Sequence, residues 1–303
     1  MPTFSRIVPV LAACWLAASA FQPPRADTSA TPSDDLGALS DDFNDAASLG
    51  NWKQFHQAEG WPSMVARAEV GGIAKGLLYL EPTTSGWYAD FHGAFMYKEV
   101  TGDFFVTSRL KITGKTAELP ATTWSLAGLM VREARPTATP ANWKPNGENW
   151  LFLTAGIAEP VGQPVFESKT TVNSRSNLKL RPAKTGWVEL GIMRVRAAFV
   201  LLYRYDGETQ WHVHERFYRR DMPRTVQVGL NAYTDWYSAQ QYHNDPMRFN
   251  TTIVSNGKPD LGLHVDYVRF QRPGYQASSP MADASELTDY TLSNAELLKT
   301  LRL

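Results

Sequence analysis

The feature that most limits what this chain can become is a period of two in its apolar residues. Phe104, Val106, Ser108, Leu110 and Ile112 alternate with Phe105, Thr107, Arg109 and Lys111. The same rhythm returns at Leu129 and Val131, at Leu151 and Leu153, and at Val188, Leu190 and Ile192. It returns again at Val226, Val228, Leu230 and Ala232. Successive side chains of an extended chain point to opposite faces, so each run presents one apolar face, as a half-buried antiparallel strand does. An amphipathic helix would need apolar residues three and four apart. Gly71-Gly72, Lys184-Thr185-Gly186, Asp206-Gly207 and Asn256-Gly257 punctuate the runs as turns. Many short strands separated by such turns imply an all-β, antiparallel sandwich rather than a βα fold. Leu201 to Val213 reads as a hairpin turning at Asp206-Gly207, and Leu263 to Gln271 reads as the last strand.

The two ends of the chain read differently. Arg6, the apolar stretch Ile7 to Ala17 and Ala18-Ser19-Ala20 have the order of a cleavable export signal, residues 1–20. The expectation is a secreted or periplasmic protein whose mature chain begins at Phe21. The alternative is a lipid anchor, because Leu11-Ala12-Ala13-Cys14 resembles a bacterial lipobox with Cys14 as the modified residue. The apolar run is too short to span a bilayer. Residues 21–40, rich in Pro, Ser, Thr, Ala and Asp, read as a flexible leader, and Asp41-Asp42-Phe43 opens a domain running to Pro273. A polar spacer then leads to a short helix within residues 274–303. Ser293 can cap this helix, Glu296 can close the capping box, and Leu292 can staple onto Leu297. Two turns are marginal alone, so Leu297, Leu298 and Leu301 need either the sandwich or a partner to cover them.

Charge narrows the partners. Thirty basic and thirty acidic residues cancel, which leaves neither a nucleic-acid footprint nor a polybasic membrane patch. Neutral, hydroxyl-rich ligands suit such a chain. Cys14 is the only cysteine, so the mature soluble domain is held by its core, with or without a bound ion, and not by disulfides.

Thr101-Gly102-Asp103-Phe104, Ala127-Gly128-Leu129-Met130-Val131-Arg132, and Tyr205-Asp206-Gly207 followed by Trp211 occur in that order. Val226 to Tyr233 and Val265-Asp266-Tyr267-Val268-Arg269-Phe270 follow them. Together these stretches resemble the concanavalin A-like lectin/glucanase superfamily. The resemblance is closest to the poorly characterised sandwich domains related to the regulation-of-enolase protein and to those appended to some xylosidases. It implies a jelly-roll sandwich over residues 41–273 and, by analogy of fold, contact with carbohydrate. Relatives that cleave glycans carry a Glu-x-Asp-x-x-Glu run on one strand, and sandwich lyases carry a Gln-Ile-His signature; this chain has neither. The resemblance therefore points to glycan binding without an evident catalytic signature, with a hydrolase or lyase of unfamiliar site, or a structural envelope protein, as alternatives. In laminarinase-like relatives the terminal-strand Asp helps hold a structural calcium, which nominates Asp266 here, with Asp42 or Asp41 as partner.

The face opposite the apolar one carries Arg109, Arg132, Trp150, Glu189, Gln227, Asn231 and Tyr233, with Trp236 just beyond. Were these strands in one sheet, planar rings, amides and guanidinium groups would share a surface suited to sugars. Trp87-Tyr88 and Trp61, in loops, would extend it. His212 and His214, two apart on a strand, would share a face and could take a metal with His92 or His243.

Overall fold

The computed structural model describes Met1 and residues 35–275, 279 and 281–303. The stretch read as an export signal, Cys14 and most of the stretch read as a leader lie outside the described residues. The chain from Asp34 to Leu303 forms one compact unit.

Its strands are β1 (Lys53–Gln54), β2 (Val65–Val70), β3 (Leu78–Pro82), β4 (Ala94–Thr101), β5 (Phe104–Thr113), β6 (Ser125–Arg132) and β7 (Trp150–Ile157). They continue as β8 (Pro164–Val172), β9 (Arg175–Pro182), β10 (Val188–Val195), β11 (Ala198–Tyr205), β12 (His212–Tyr218), β13 (Thr225–Tyr233) and β14 (Gly262–Gln271). Two antiparallel seven-stranded sheets result. The first runs β1-β4-β13-β6-β7-β8-β9 and the second β12-β11-β10-β5-β14-β3-β2.

The alternation read from the sequence decides which residues fill the space between them. Leu129, Val131, Leu151, Leu153, Val228 and Leu230 of the first sheet pack against Val106, Leu110, Leu190 and Ile192 of the second, all essentially inaccessible to water. Removing such a leucine to alanine costs about 2–5 kcal/mol, so this layer carries much of the stability.

Both outer faces are also covered. On the second sheet, Phe105, Met193, Val200, Leu202 and Trp211 meet Leu297, Leu298 and Leu301 of the terminal helix α4 (Asn294–Leu301). That helix starts as expected, since Ser293 and Glu296 form a complete capping box. On the first sheet, α1 (Phe55–Glu59) and the segments 84–93 and 133–149 lie over the strands. Phe55, Trp61 and Trp87 pack there on Trp150, Phe152 and Tyr233. Two further short helices, α2 (Trp236–Ala239) and α3 (Pro246–Asn250), follow β13.

The fold begins earlier than Asp41. Leu36 is buried, Asp35 binds Arg272, and Ser40 Oγ accepts from the Phe270 amide. Residues 35–40 are therefore part of the unit and not leader. The tail from Ala282 onward is likewise packed, with Ala284 and Leu287 buried in the same cluster as α4.

Candidate functional site

The parity argument holds for the first sheet. Arg132 lies opposite Trp150 on one side and Gln227 on the other, and Asn231 and Tyr233 follow on the same face of β13. What differs is exposure. Arg132 and Trp150 are 0% exposed and Tyr233 is 2%, so this face is not an open platform. Arg109 and Glu189 are elsewhere: they pair across β5 and β10 in the second sheet. The eight nominated residues therefore do not share one surface.

Arg132 shows why the face is covered. Its guanidinium donates to Glu148 at 2.9 and 3.0 Å, to Glu59 at 2.6 and 3.1 Å, and to Gln227 Oε1 at 3.0 Å. It also sits 4.6 Å above the Phe55 ring. Glu59 closes α1 and Glu148 ends the segment 133–149, so one buried cation ties two covering elements to the sheet. Burial opposes these charges. The two carboxylates more than offset that for Arg132, and Arg132 together with His92 holds the Glu148 carboxyl well below its usual range. Arg135 adds a further contact to Glu148 at 2.9 Å. Asn231, 1% exposed, has neither side-chain polar atom hydrogen-bonded among the described residues.

This face keeps an opening of about 490 Å³ beside α1, lined by Glu59, Tyr97, Glu99 and Gln227, and a more aromatic one at the end of β13. A pocket of about 310 Å³ is lined by Trp87, Tyr88, Trp124, Tyr233 and Trp236, with Lys169, Glu159 and Gln240 among its polar groups. Asp235 starts α2 in the left-handed region (φ 59°) and accepts from Thr84 Oγ1 at 2.8 Å, which locks the turn after β13 to the segment carrying Trp87 and Tyr88. Gly86 lets Trp236 lie directly on the chain: a Cβ there would stand 2.4 Å from the indole. Phe91 and Phe249 brace the same indole at 5.3 and 6.1 Å between ring centres.

The pocket has a charged floor that the alternation did not reveal. On β8, Lys169 Nζ donates to the Trp87 carbonyl at 2.8 Å and pairs with Glu167 at 2.8 Å. It also lies 5.2 to 5.7 Å from the centres of the Phe152, Tyr233 and Tyr88 rings. The Tyr233 hydroxyl donates to Glu167. Burial, reinforced by the Glu167 charge, pushes the Tyr233 phenol well above its ordinary range. Glu159, at the rim, accepts from Tyr237 at 2.7 Å. The signal that could have found this floor was Glu167 and Lys169, two charges two apart in a run ending in Thr170-Thr171-Val172.

On the second sheet, Arg109 is shared between Asp206 at 3.1 Å and Asp266 at 3.0 Å, and stacks on Trp187 at 4.4 Å. Glu189 pairs instead with Arg204. Asp42 pairs with Arg269, and Asp41 accepts from the Phe43 amide and the Trp52 indole. Asp42 and Asp266 are thus each held by a guanidinium of their own. They do not fit the multi-oxygen cage calcium requires. No group of three or more His, Cys, Asp or Glu suited to a metal occurs among the described residues. The strand histidines His212 and His214 share a face, both lying against Tyr203, but they differ in burial and no third ligand joins them among the described residues. Near the register shift between Leu201 and Leu202, His212 stacks on Tyr203 at the exposed end beside Glu208, and His214 lies deeper against Phe166 and Tyr203. His92 is buried beside Glu148 at 3.3 Å.

No protein-family model matches the sequence, and a search of curated proteins finds no match. Solved structures do match in fold. The GH43 BlXynB protein from Bacillus licheniformis is 14% identical, with a TM-score of 0.50 over 77% of this chain and 39% of its own. The Bacteroides ovatus xyloglucan PUL GH43B structure is 15% identical, with a TM-score of 0.51 over 77% of this chain and 39% of its own. A functionally unknown protein from Saccharomyces cerevisiae is 16% identical, with a TM-score of 0.48 over 74% of this chain and 98% of its own. This chain spans about two fifths of each of the two GH43 proteins. The fold, an antiparallel sandwich of two seven-stranded sheets, is shared with part of each of these two GH43 structures. No helix among the described residues is long and apolar enough to cross a membrane.

Proposed function

We propose that this protein is an exported carbohydrate-binding sandwich that takes one or two sugar rings of a glycan in the pocket at the end of β13. The observation that carries the reading is the lining: five aromatic residues around about 310 Å³, with an ammonium, a carboxylate and an amide among them. Sugar rings offer apolar C–H faces to aromatic rings and hydroxyls to polar groups, and this volume lies at the lower end of small-ligand sites. Trp236 and Tyr233 are the nominated residues that remain in the site; Trp87, Tyr88, Trp124 and Lys169 complete it. Trp150 backs the site through Trp87, 5.8 Å away between ring centres, while Arg132 and Gln227 lie toward the other end of the same strands.

The superfamily resemblance and the fold shared with GH43 structures agree with this reading, as does the N-terminal sequence pattern of an export signal. Relation to the regulation-of-enolase sandwich domains belongs to the same proposal, and so does a secreted or periplasmic location, with lipid anchoring at Cys14 as its alternative. Mass spectrometry of the mature N-terminus separates cleavage after Ala20 from a lipidated Cys14.

A second reading, glycan cleavage, has one observation in its favour. The Tyr233 hydroxyl bonded to buried Glu167 is an acid–base couple, and Glu159 stands on the same pocket wall. A glycan array of the mature protein, followed by product analysis on every hit, decides between them. Binding without product supports the module; product lost in Glu159→Gln supports the enzyme; no hit at all contradicts both.

A further inference from the structure

A recess larger than the aromatic pocket lies at the opposite end of the sandwich. It encloses about 680 Å³ and is lined by Arg194, Arg196, Arg219, Arg220, Arg224 and Arg272, against the two carboxylates of Asp103 and Asp283. It gathers the β4–β5 turn, the β10–β11 turn, the segment between β12 and β13, and the chain after β14. Arg224 immediately precedes β13 and Tyr233 ends it, so the nine-residue strand holds the recess and the aromatic pocket about 30 Å apart.

Arg219 and Arg272 are engaged by the fold; the Arg220 and Arg224 side chains are not. Arg219 donates to Asp221, Thr170 and the carbonyls of Trp150 and Thr171, and Arg272 to Asp35 and the carbonyls of Thr101 and Asp103. Asp103 accepts from the Arg196 amide and pairs with its guanidinium at 3.9 Å. The Asp283 carboxylate accepts from the Tyr218 hydroxyl. Counting Asp35 and Asp221 with the lining, six guanidinium groups face four carboxylates, a surplus of two in a chain whose total charge is zero. Arg220 and Arg224 are exposed and form no ion pair among the described residues. Arg194 is 6% exposed, and its hydrogen-bond partners are the carbonyls of Arg196, Met222 and Arg224. Burial, offset in part by Asp103, lowers its affinity for its proton. Arg196 holds a left-handed backbone (φ 55°) in the β10–β11 turn, where glycine or asparagine is favoured.

We propose that this recess is a second binding site, for sulfate or phosphate ester groups carried on a larger molecule. Guanidinium groups present planar forks of N–H donors that match such oxyanions two bonds at a time. A buried arginine whose hydrogen bonds all go to carbonyls gains from an added anion what a neutral sugar cannot supply. The volume exceeds the need of a single free anion and admits the chain that bears it. The site stands on residues distinct from those of the aromatic pocket, so either can fail without the other.

The test uses the full mature protein and a fluorescein-labelled sulfated dextran, read by anisotropy, with uncharged dextran and orthophosphate as comparisons. The wild type binds the sulfated polymer and not the uncharged one, and affinity falls steeply with added salt. Arg220→Ala with Arg224→Ala weakens binding at least tenfold at unchanged melting temperature. Lys75→Ala with Arg175→Ala, which removes the same charge from exposed positions outside the recess, changes it less than twofold. Equal loss in both double variants, or no binding by the wild type, overturns the site. Orthophosphate that binds as tightly as the polymer overturns the assignment to a polymer-borne group.

Discussion

The outer faces of the two sheets start from the same kind of sequence and end as different environments. Each carries arginine and glutamate where the inner face carries valine and leucine. On the second sheet Arg109 stays partly exposed, with solvated aspartates and Trp187 around it. On the first sheet Arg132 is sealed beneath α1 and the segment 133–149 by two glutamates. The lesson is that an outward polar residue becomes a surface group or a buried fastener according to what the chain lays over it. At the end of β13 the covering stops short and leaves an aromatic opening.

Arginine removal should separate the faces most strongly. Arg132→Ala leaves Glu59 and Glu148 buried without their counter-charge and should cost about 3–5 kcal/mol, read by denaturant unfolding. Arg109→Ala should cost less than about 1 kcal/mol, because its partners remain in water. Comparable losses would erase the contrast. Because Glu148 is held below its ordinary range, the stability it contributes is present above pH 4.5 and lost as pH falls below that. Arg132→Ala should flatten that acid limb.

The covering of the second sheet is apolar, so its test is a cavity. Leu297 is 0% exposed against the cluster of Phe105 and Trp211, and Leu297→Ala should destabilise by about 2–5 kcal/mol. A change within about 0.5 kcal/mol would mean that α4 rests loosely on the sheet.

His212 and His214 on β12, one exposed and one buried, repeat the contrast on a smaller scale. Burial, more than the nearby Arg181, lowers the His214 pKa from 6.5 to about 4. The unfolded chain then binds the proton more readily, so stability is full above pH 6.5 and falls by about 3 kcal/mol toward pH 4. His214→Phe should remove that slope and His212→Ala should leave it, measured as unfolding midpoints across the range.

The smallest expected effect concerns calcium. With Asp42 on Arg269 and Asp266 on Arg109, melting temperature should be the same in chelator and in excess calcium. A rise with free calcium would show that the ion displaces a guanidinium.

Much of the sandwich was legible because parity is a local property. Val106, Leu151 and Leu230 declare the inner face without knowledge of their neighbours. The start of α4 was legible for the same reason, since Ser293 and Glu296 complete a box within four residues. What covers a face is not local. Trp150 reads identically whether it awaits a sugar or lies under Trp87, 5.8 Å away between ring centres. The segments 84–93 and 133–149 have no periodicity to announce where they pack. The separation of Arg109 and Glu189 from Arg132 depended on strand order, which alternation does not encode. On β8 the inward residues include Phe166, Ser168 and Thr170, so its apolar face fades and Glu167 and Lys169 escaped notice. The aromatic loop Trp87-Tyr88 was recognisable by composition, and the structure brings it to Tyr233 and Trp236.

The most direct test is to measure glycan affinity and stability together in two tryptophan variants. A glycan identified on the array is titrated calorimetrically into wild type, Trp236→Ala and Trp150→Ala, and each protein is unfolded in denaturant. Trp236→Ala should lose at least tenfold in affinity while keeping its stability within about 1 kcal/mol, because its indole forms the open wall of the pocket. Trp150→Ala should instead lose about 3–5 kcal/mol of stability, as a core aromatic does. Undiminished binding by Trp236→Ala would contradict the account, and so would a stable Trp150→Ala that no longer binds, which would return the site to the covered face of the first sheet.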